Sequence, residues 1–143
     1  MEFFAIASVP ARVSDLQRHV RIATLPRLCA SVNTVMSHEG ERGQIYCVWG
    51  EFTVHREMIR DGVRFSLPSC RNGVQWTVTT GSAADSGKVV IHCTVNQRDV
   101  DPDFVESLEQ FATDWKAGLE GELAHLRAES APKAGVQSMP WFG

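Results

Sequence analysis

The stretch Asp101–Arg127, DPDFVESLEQFATDWKAGLEGELAHLR, decides how this chain is read. Val100-Asp101-Pro102 predicts a helix start: Asp101 can cap the free amides of the first turn, and Pro102 at N1 has no N–H to satisfy. Asp103 and Glu106 sit where the helix dipole favours negative charge, and His125 and Arg127 where it favours positive charge. Phe104, Leu108, Phe111, Trp115, Leu119, Leu123 and Leu126 recur at spacings of three and four, which makes one apolar face. At 1.5 Å per residue the helix is roughly 40 Å long, longer than an ordinary globular helix. That face needs a cover, and the strand-rich middle of the chain is the one segment large enough to supply it.

In that middle the period changes to two. Gln44–Val54, QIYCVWGEFTV, puts Ile45, Cys47 and Trp49 on one side and Tyr46 and Val48 on the other, with Gly50 read as a bulge before Phe52 and Val54. Arg60-Asp61-Gly62 and Ser69-Cys70-Arg71-Asn72-Gly73 are turns, with Asp-Gly and Asn-Gly as their hairpin signals. Between and after them, Val63, Phe65 and Leu67, then Val74, Trp76 and Val78, alternate with polar residues. The polar loop GSAADSG leads to a last strand with Val89, Ile91, Cys93 and Val95 on its apolar side. Upstream, EFFAIASV at 2–9 is a first strand ended by Pro10. Val13, Leu16 and Val20 mark a short helix. Leu25, Leu28, Val32, Val35 and Met36 mark a second helical face, and Ser37–Gly43 is a loop by composition. Five strands are thus expected. The fold class is α+β: an antiparallel meander wrapped around the long C-terminal helix, with two short helices after the first strand. Residues 1–128 form one domain, and 129–143, which includes Met139-Pro140-Trp141-Phe142, form a flexible tail.

Composition bounds the function. With 43% apolar and 22% charged residues and a net charge of −3, the 143-residue chain falls in the soluble globular class. It has no basic block, hence no electrostatic footprint for nucleic acid. No apolar run is long enough to insert into a membrane. MEFFAIASVPARV has an acid at position 2 and no basic n-region, so a secretory signal is not expected. Cys29, Cys47, Cys70 and Cys93 form no CxxC pair and stand at no metal spacing from a histidine, which makes them core thiols and the setting cytoplasmic.

The order strand, two short helices, meander and long amphipathic helix resembles the START-like helix-grip superfamily, which includes polyketide cyclase-like and lipid-transfer proteins. Ser8-Val9-Pro10-Ala11-Arg12-Val13 looks like the step that opens the first helix there. Phe111–Leu119, FATDWKAGL, is similar to that family's C-terminal helix. The resemblance implies a curved sheet gripping the helix with an apolar cavity between them.

The candidate ligand-binding residues are Trp49, Phe65 and Trp76 on the sheet and Phe111 and Trp115 on the helix. Together they offer large apolar area, and the indole N–H groups can orient the polar end of a ligand. An ordinary packed core is the competing account of the same stripe. Glu122 falls on the edge of the stripe, where a carboxylate can bind a cationic group, act as a base or reach water. The five histidines are scattered, and His55-Arg56-Glu57 is placed at a hairpin end. No HExxH, GxSxG or phosphate-cradling glycine loop occurs, so no catalytic residue, metal ion or cofactor is assigned. Gly118 and Gly121 permit a bend, or the close approach of a ligand or partner. The expectation is a small cytoplasmic protein holding an apolar or amphipathic molecule between helix and sheet. The alternatives are a protein-interaction module, secretion-chaperone-like or homodimeric, and a cyclase- or hydrolase-like enzyme with Glu122 or His92 as base.

Overall fold

The computed structural model describes residues 1–81, 87–96 and 100–130. In chain order the elements are β1 (Glu2–Ser8), α1 (Val13–His19), a single 3-10 turn (Ile22–Thr24), α2 (Leu25–Leu28), β2 (Val32–Glu39), β3 (Arg42–Cys47), β4 (Gly50–Ile59), β5 (Gly62–Ser66), β6 (Gln75–Thr80), β7 (Lys88–Thr94) and α3 (Pro102–Ser130). The strands form one antiparallel sheet of seven, ordered β1-β7-β6-β5-β4-β3-β2. Strands β2 to β7 run as a meander. β1 closes it by pairing with β7, so α1 and α2 must carry the chain across from one edge of the sheet to the other.

Helix α3 starts as its sequence predicts. The Asp101 carboxylate accepts from the Asp103 amide at 2.7 Å, and the Asp101 carbonyl accepts from Phe104 and Val105. Its stripe of Leu108, Phe111, Trp115, Leu119, Leu123 and Leu126 is buried against the apolar face of the sheet. Polar ties fix the seating. Glu120 accepts from the Ser8 amide of β1 at 2.8 Å, and Arg127 donates to the Pro10 carbonyl at 3.0 Å. Arg27 donates to Glu122 and Glu129 at 3.0 and 2.7 Å.

Seven strands replace the five expected, and two corrections account for the difference. Val32, Val35 and Met36 belong to β2, not to a helix, and α2 stops after four residues with Cys29 already extended. The helical spacing has a physical source. β2 breaks register between Val32 and Thr34 and again between Val35 and Ser37, while Val32 pairs with Cys47 and Val35 with Ile45, both buried. An irregularity of that kind reverses the alternation of faces, so two inward valines come to lie three apart. Most of the expected loop, Ser37–Gly43, is likewise strand on both sides of a turn at Gly40-Glu41. Gly50 is not a bulge. It closes a two-residue turn at Val48-Trp49, pairs with Cys47 and has φ of +114°, a region open to glycine. His55-Arg56-Glu57 lies inside β4 rather than at its end.

α3 runs to Ser130, two residues into the segment expected to be tail. Most of the loop GSAADSG and the Met139-Pro140-Trp141-Phe142 stretch lie outside the described residues.

Candidate functional site

The five expected aromatic residues form one continuous network. Phe65 and Trp76 are cross-strand partners on β5 and β6 with ring centroids 5.3 Å apart, and Trp115 of α3 lies 6.1 and 6.3 Å from them. Phe111 meets Trp76 edge to face at 4.8 Å, and Trp49 packs on Phe111 at 4.9 Å and on Phe104 at 5.8 Å. Their exposure separates them. Phe65, Trp76, Phe111 and Trp115 are at most 1% exposed, whereas Trp49 is half-buried at the edge of the core.

Trp49 owes its place to the β3–β4 turn, which lifts it out of strand alternation and sets it beside the first turns of α3. Its indole N–H donates to Ser107 Oγ at 2.7 Å, and that hydroxyl donates onward to the Phe104 carbonyl at 2.6 Å. Such a relay holds the ring in one orientation. In front of it opens a cleft of about 460 Å3, lined by Trp49, Phe52, Ser69, Cys70, Arg71, Asn72 and Phe104. The β5–β6 connection forms one wall. It is braced by the Thr53 amide donating to Ser69 Oγ at 3.2 Å and the Asn96 amide donating to the Asn72 carbonyl at 3.0 Å. The turn at Asn72-Gly73 needs glycine at φ +61°, and a Cβ there would also crowd the Asn96 side chain. The cleft thus combines three aromatic rings with a guanidinium, an amide, a hydroxyl and a thiol, a chemistry suited to an apolar body with a polar end.

Deeper in the network, Trp76 Nε1 and Trp115 Nε1 are buried and donate to no acceptor among the described residues. Buried indole N–H groups usually find a partner.

Glu122 is not brought together with these residues. It stands fifteen residues beyond Ser107, roughly 22 Å along the helix axis. There it binds the Arg27 guanidinium, with His125 Nδ1 at 3.4 Å. His92 lies on the outer face of the sheet, stacked on Phe4 at 4.3 Å and paired with Glu2 at 2.7 Å, away from α3. Among the described residues no three His, Cys, Asp or Glu side chains converge in a way that could hold a metal ion. Cys29, Cys47 and Cys93 are buried free thiols and Cys70 is a half-buried one. Burial pushes Cys93 up to about 12 and raises Cys29 and Cys47 as well. No helix is long and apolar enough to cross a membrane, judged on the described residues.

The sequence pointed to Trp49 but not to its partners. Phe52 was legible only as strand continuation and Phe104 only as the start of the stripe. Ser69–Asn72 carried a turn signal and nothing more.

A meander closed by its first strand around a C-terminal helix is the helix-grip architecture. No family model matches the chain, and no curated protein is similar to it in sequence. Solved structures do share its fold. A protein from Thermus thermophilus superposes with a TM-score of 0.60 at 18% identity, covering 92% of this chain and 100% of that one. XoxI from Bacillus cereus gives 0.61 at 12% identity, covering 88% and 97%. A START superfamily protein from Mycobacterium smegmatis gives 0.55 at 13% identity, again covering 88% and 97%. The chain therefore has a START-like helix-grip fold.

Proposed function

We propose that this protein binds an apolar or amphipathic small molecule, which enters at the Trp49 cleft and lies against the aromatic network between sheet and helix. The observation that carries the reading is Trp49 itself: a large ring, held by Ser107, that faces the cleft and also touches the sealed network through Phe111. Phe52 and Phe104 flank the guest, and Arg71 and Asn72 meet its polar end. Phe65, Trp76, Phe111 and Trp115 form the floor. A longer guest that parts these rings finds two free donors, Trp76 Nε1 and Trp115 Nε1, for an acceptor atom. In this reading Glu122 serves α3 by binding Arg27. The cleft volume falls within the range of roughly 300–1,000 Å3 usual for small-molecule sites. A cytoplasmic setting agrees with thiols that remain free.

The test is tryptophan fluorescence during titration with fatty acids, sterols and aromatic polyketides, alongside denaturing mass spectrometry of the freshly purified protein. A saturable emission change is expected, and Trp49→Ala should weaken binding by about ten- to a hundred-fold, the worth of one buried aromatic side chain. No response across the panel, combined with concentration-dependent dimerisation in the ultracentrifuge, would replace this reading with a protein-interaction module.

A further inference from the structure

The outer face of the sheet, turned away from α3, carries a second concave site. Arg42 on β3 stands directly opposite His55 on β4, and His55 directly opposite Ser66 on β5. Direct cross-strand partners point to the same face. Val54 and Arg56, the chain neighbours of His55, are buried toward the helices, so alternation sends His55 and its row outward. Around the row lies a cleft of about 470 Å3 lined by Glu41, Arg42, His55, Arg56, Glu57 and Ser66.

The charges of this cleft are unevenly matched. Glu41 accepts from Arg56 at 2.7 Å and Glu57 from Arg64 at 2.8 Å, so both lining carboxylates are already engaged. Arg42 makes no ion pair among the described residues, even with Glu39, its direct partner on β2. His55 Nε2 is buried and has no hydrogen-bond partner among the described residues. The row therefore offers an unpaired guanidinium, an unpartnered imidazole nitrogen and a hydroxyl, all of which can donate. A group with several acceptor oxygens and negative charge is the complement of such a row.

We propose that Arg42, His55 and Ser66 form a binding site for a small oxyanion, a carboxylate or phosphate group, separate from the Trp49 cleft. Arg42, which already lines the cleft, clamps two oxygens. A turn of the His55 ring brings its buried Nε2 to the same group, to which Ser66 Oγ also donates.

The experiment follows the His55 ring and backbone resonances while inorganic phosphate and, separately, sodium acetate are added at fixed pH and ionic strength. A saturable shift is expected at His55, Arg42 and Ser66. Saturation with phosphate alone assigns a phosphate group, and saturation with acetate alone a carboxylate. Arg42→Gln should weaken binding by about tenfold or more, since the bidentate charge-assisted contact is lost. Glu39→Gln should tighten it, because it removes the negative charge directly opposite Arg42 on β2, and a gain of affinity cannot arise from misfolding. Linear shifts with both anions, or binding indifferent to both substitutions, would mean an adventitious ion only and would overturn the proposal.

Discussion

Gly118 of α3 and the carbonyl of Leu28 at the end of α2 lie in contact, with no room for a side chain between them: a Cβ at position 118 would overlap the Leu28 oxygen. The long helix is thus crossed by backbone at Gly118, and only a residue without a side chain allows the approach. Gly121, three residues on, has nothing within 4 Å of its would-be Cβ. The two glycines should respond oppositely to alanine. Gly118→Ala is expected to destabilise the protein by roughly 1–3 kcal/mol through overpacking. Gly121→Ala should stabilise it by up to about 1 kcal/mol through helix propensity. Urea melts of the two variants decide it, and equal effects would disprove the crossing.

Arg56 is a charged residue, 7% exposed, in the middle of a strand. It donates to the Val20 carbonyl at 2.8 Å, to the Gln17 carbonyl and to Glu41, and so satisfies carbonyls at the C-terminal end of α1 from the helix-facing side of β4. Arg56→Met should cost about 3 kcal/mol, two hydrogen bonds to a charged donor at about 1.5 kcal/mol each. Arg64→Met, which breaks an exposed pair with Glu57, should cost less than about 1 kcal/mol. A comparable loss in both, measured by urea midpoint, would show that Arg56 does not anchor α1.

Acid should weaken the protein through His19 before it reaches the carboxylates. Burial lowers the His19 pKa below 6.5, opposed by Asp15 and aided by Arg18, Arg21 and Arg127. Between that depressed value and 6.5 the unfolded chain binds the proton and the folded chain does not, so stability falls as pH drops through this window. Asp15 acts lower on the scale. Burial alone would raise its pKa, but the Arg12 amide and Arg127 more than offset this and leave it below 3.8. Its contribution is full above 3.8 and is lost as pH falls through the folded value. In stability measured against pH, His19→Gln should flatten the decline just below 6.5 and keep most of the lower one, to which the His19 charge is the smallest contributor.

Thiol chemistry should separate the cysteines. Cys29, Cys47 and Cys93 are buried with raised pKa values, and Cys70 stands in the wall of the Trp49 cleft. A thiolate-detecting reagent at mild alkaline pH should label one thiol per folded chain and four after denaturation. Cys70→Ser should abolish the native signal, and a guest in the cleft should slow it. Labelling of Cys93 in the folded chain would contradict the packing of β7.

Much of the fold was legible because local periodicity states which side chains leave water. The seven-position stripe of 101–127 and the alternation from Val63 to Val95 leave little choice but to lay helix on sheet. The turn at Asn72-Gly73 and the short helix at Val13 were readable for the same local reason, whereas the expected Asp-Gly turn falls at Arg60-Asp61, with Gly62 already in β5 and paired with Ile59. β2 was not, because its register irregularities imitate helical spacing. Gly50 was ambiguous, since a glycine that ends a turn and one that makes a bulge look alike in one dimension.

The sequence by itself determined that one amphipathic helix covers one apolar sheet face, and that five aromatic rings belong to that interface. Only the tertiary structure decided which ring stands at an opening. Accessibility depends on neighbours far away in the chain: Ser107 holds Trp49, Arg27 captures Glu122, and Glu41 with the end of α1 buries Arg56. Those encounters follow from how the strands stack and cross, and residue spacing carries no record of them.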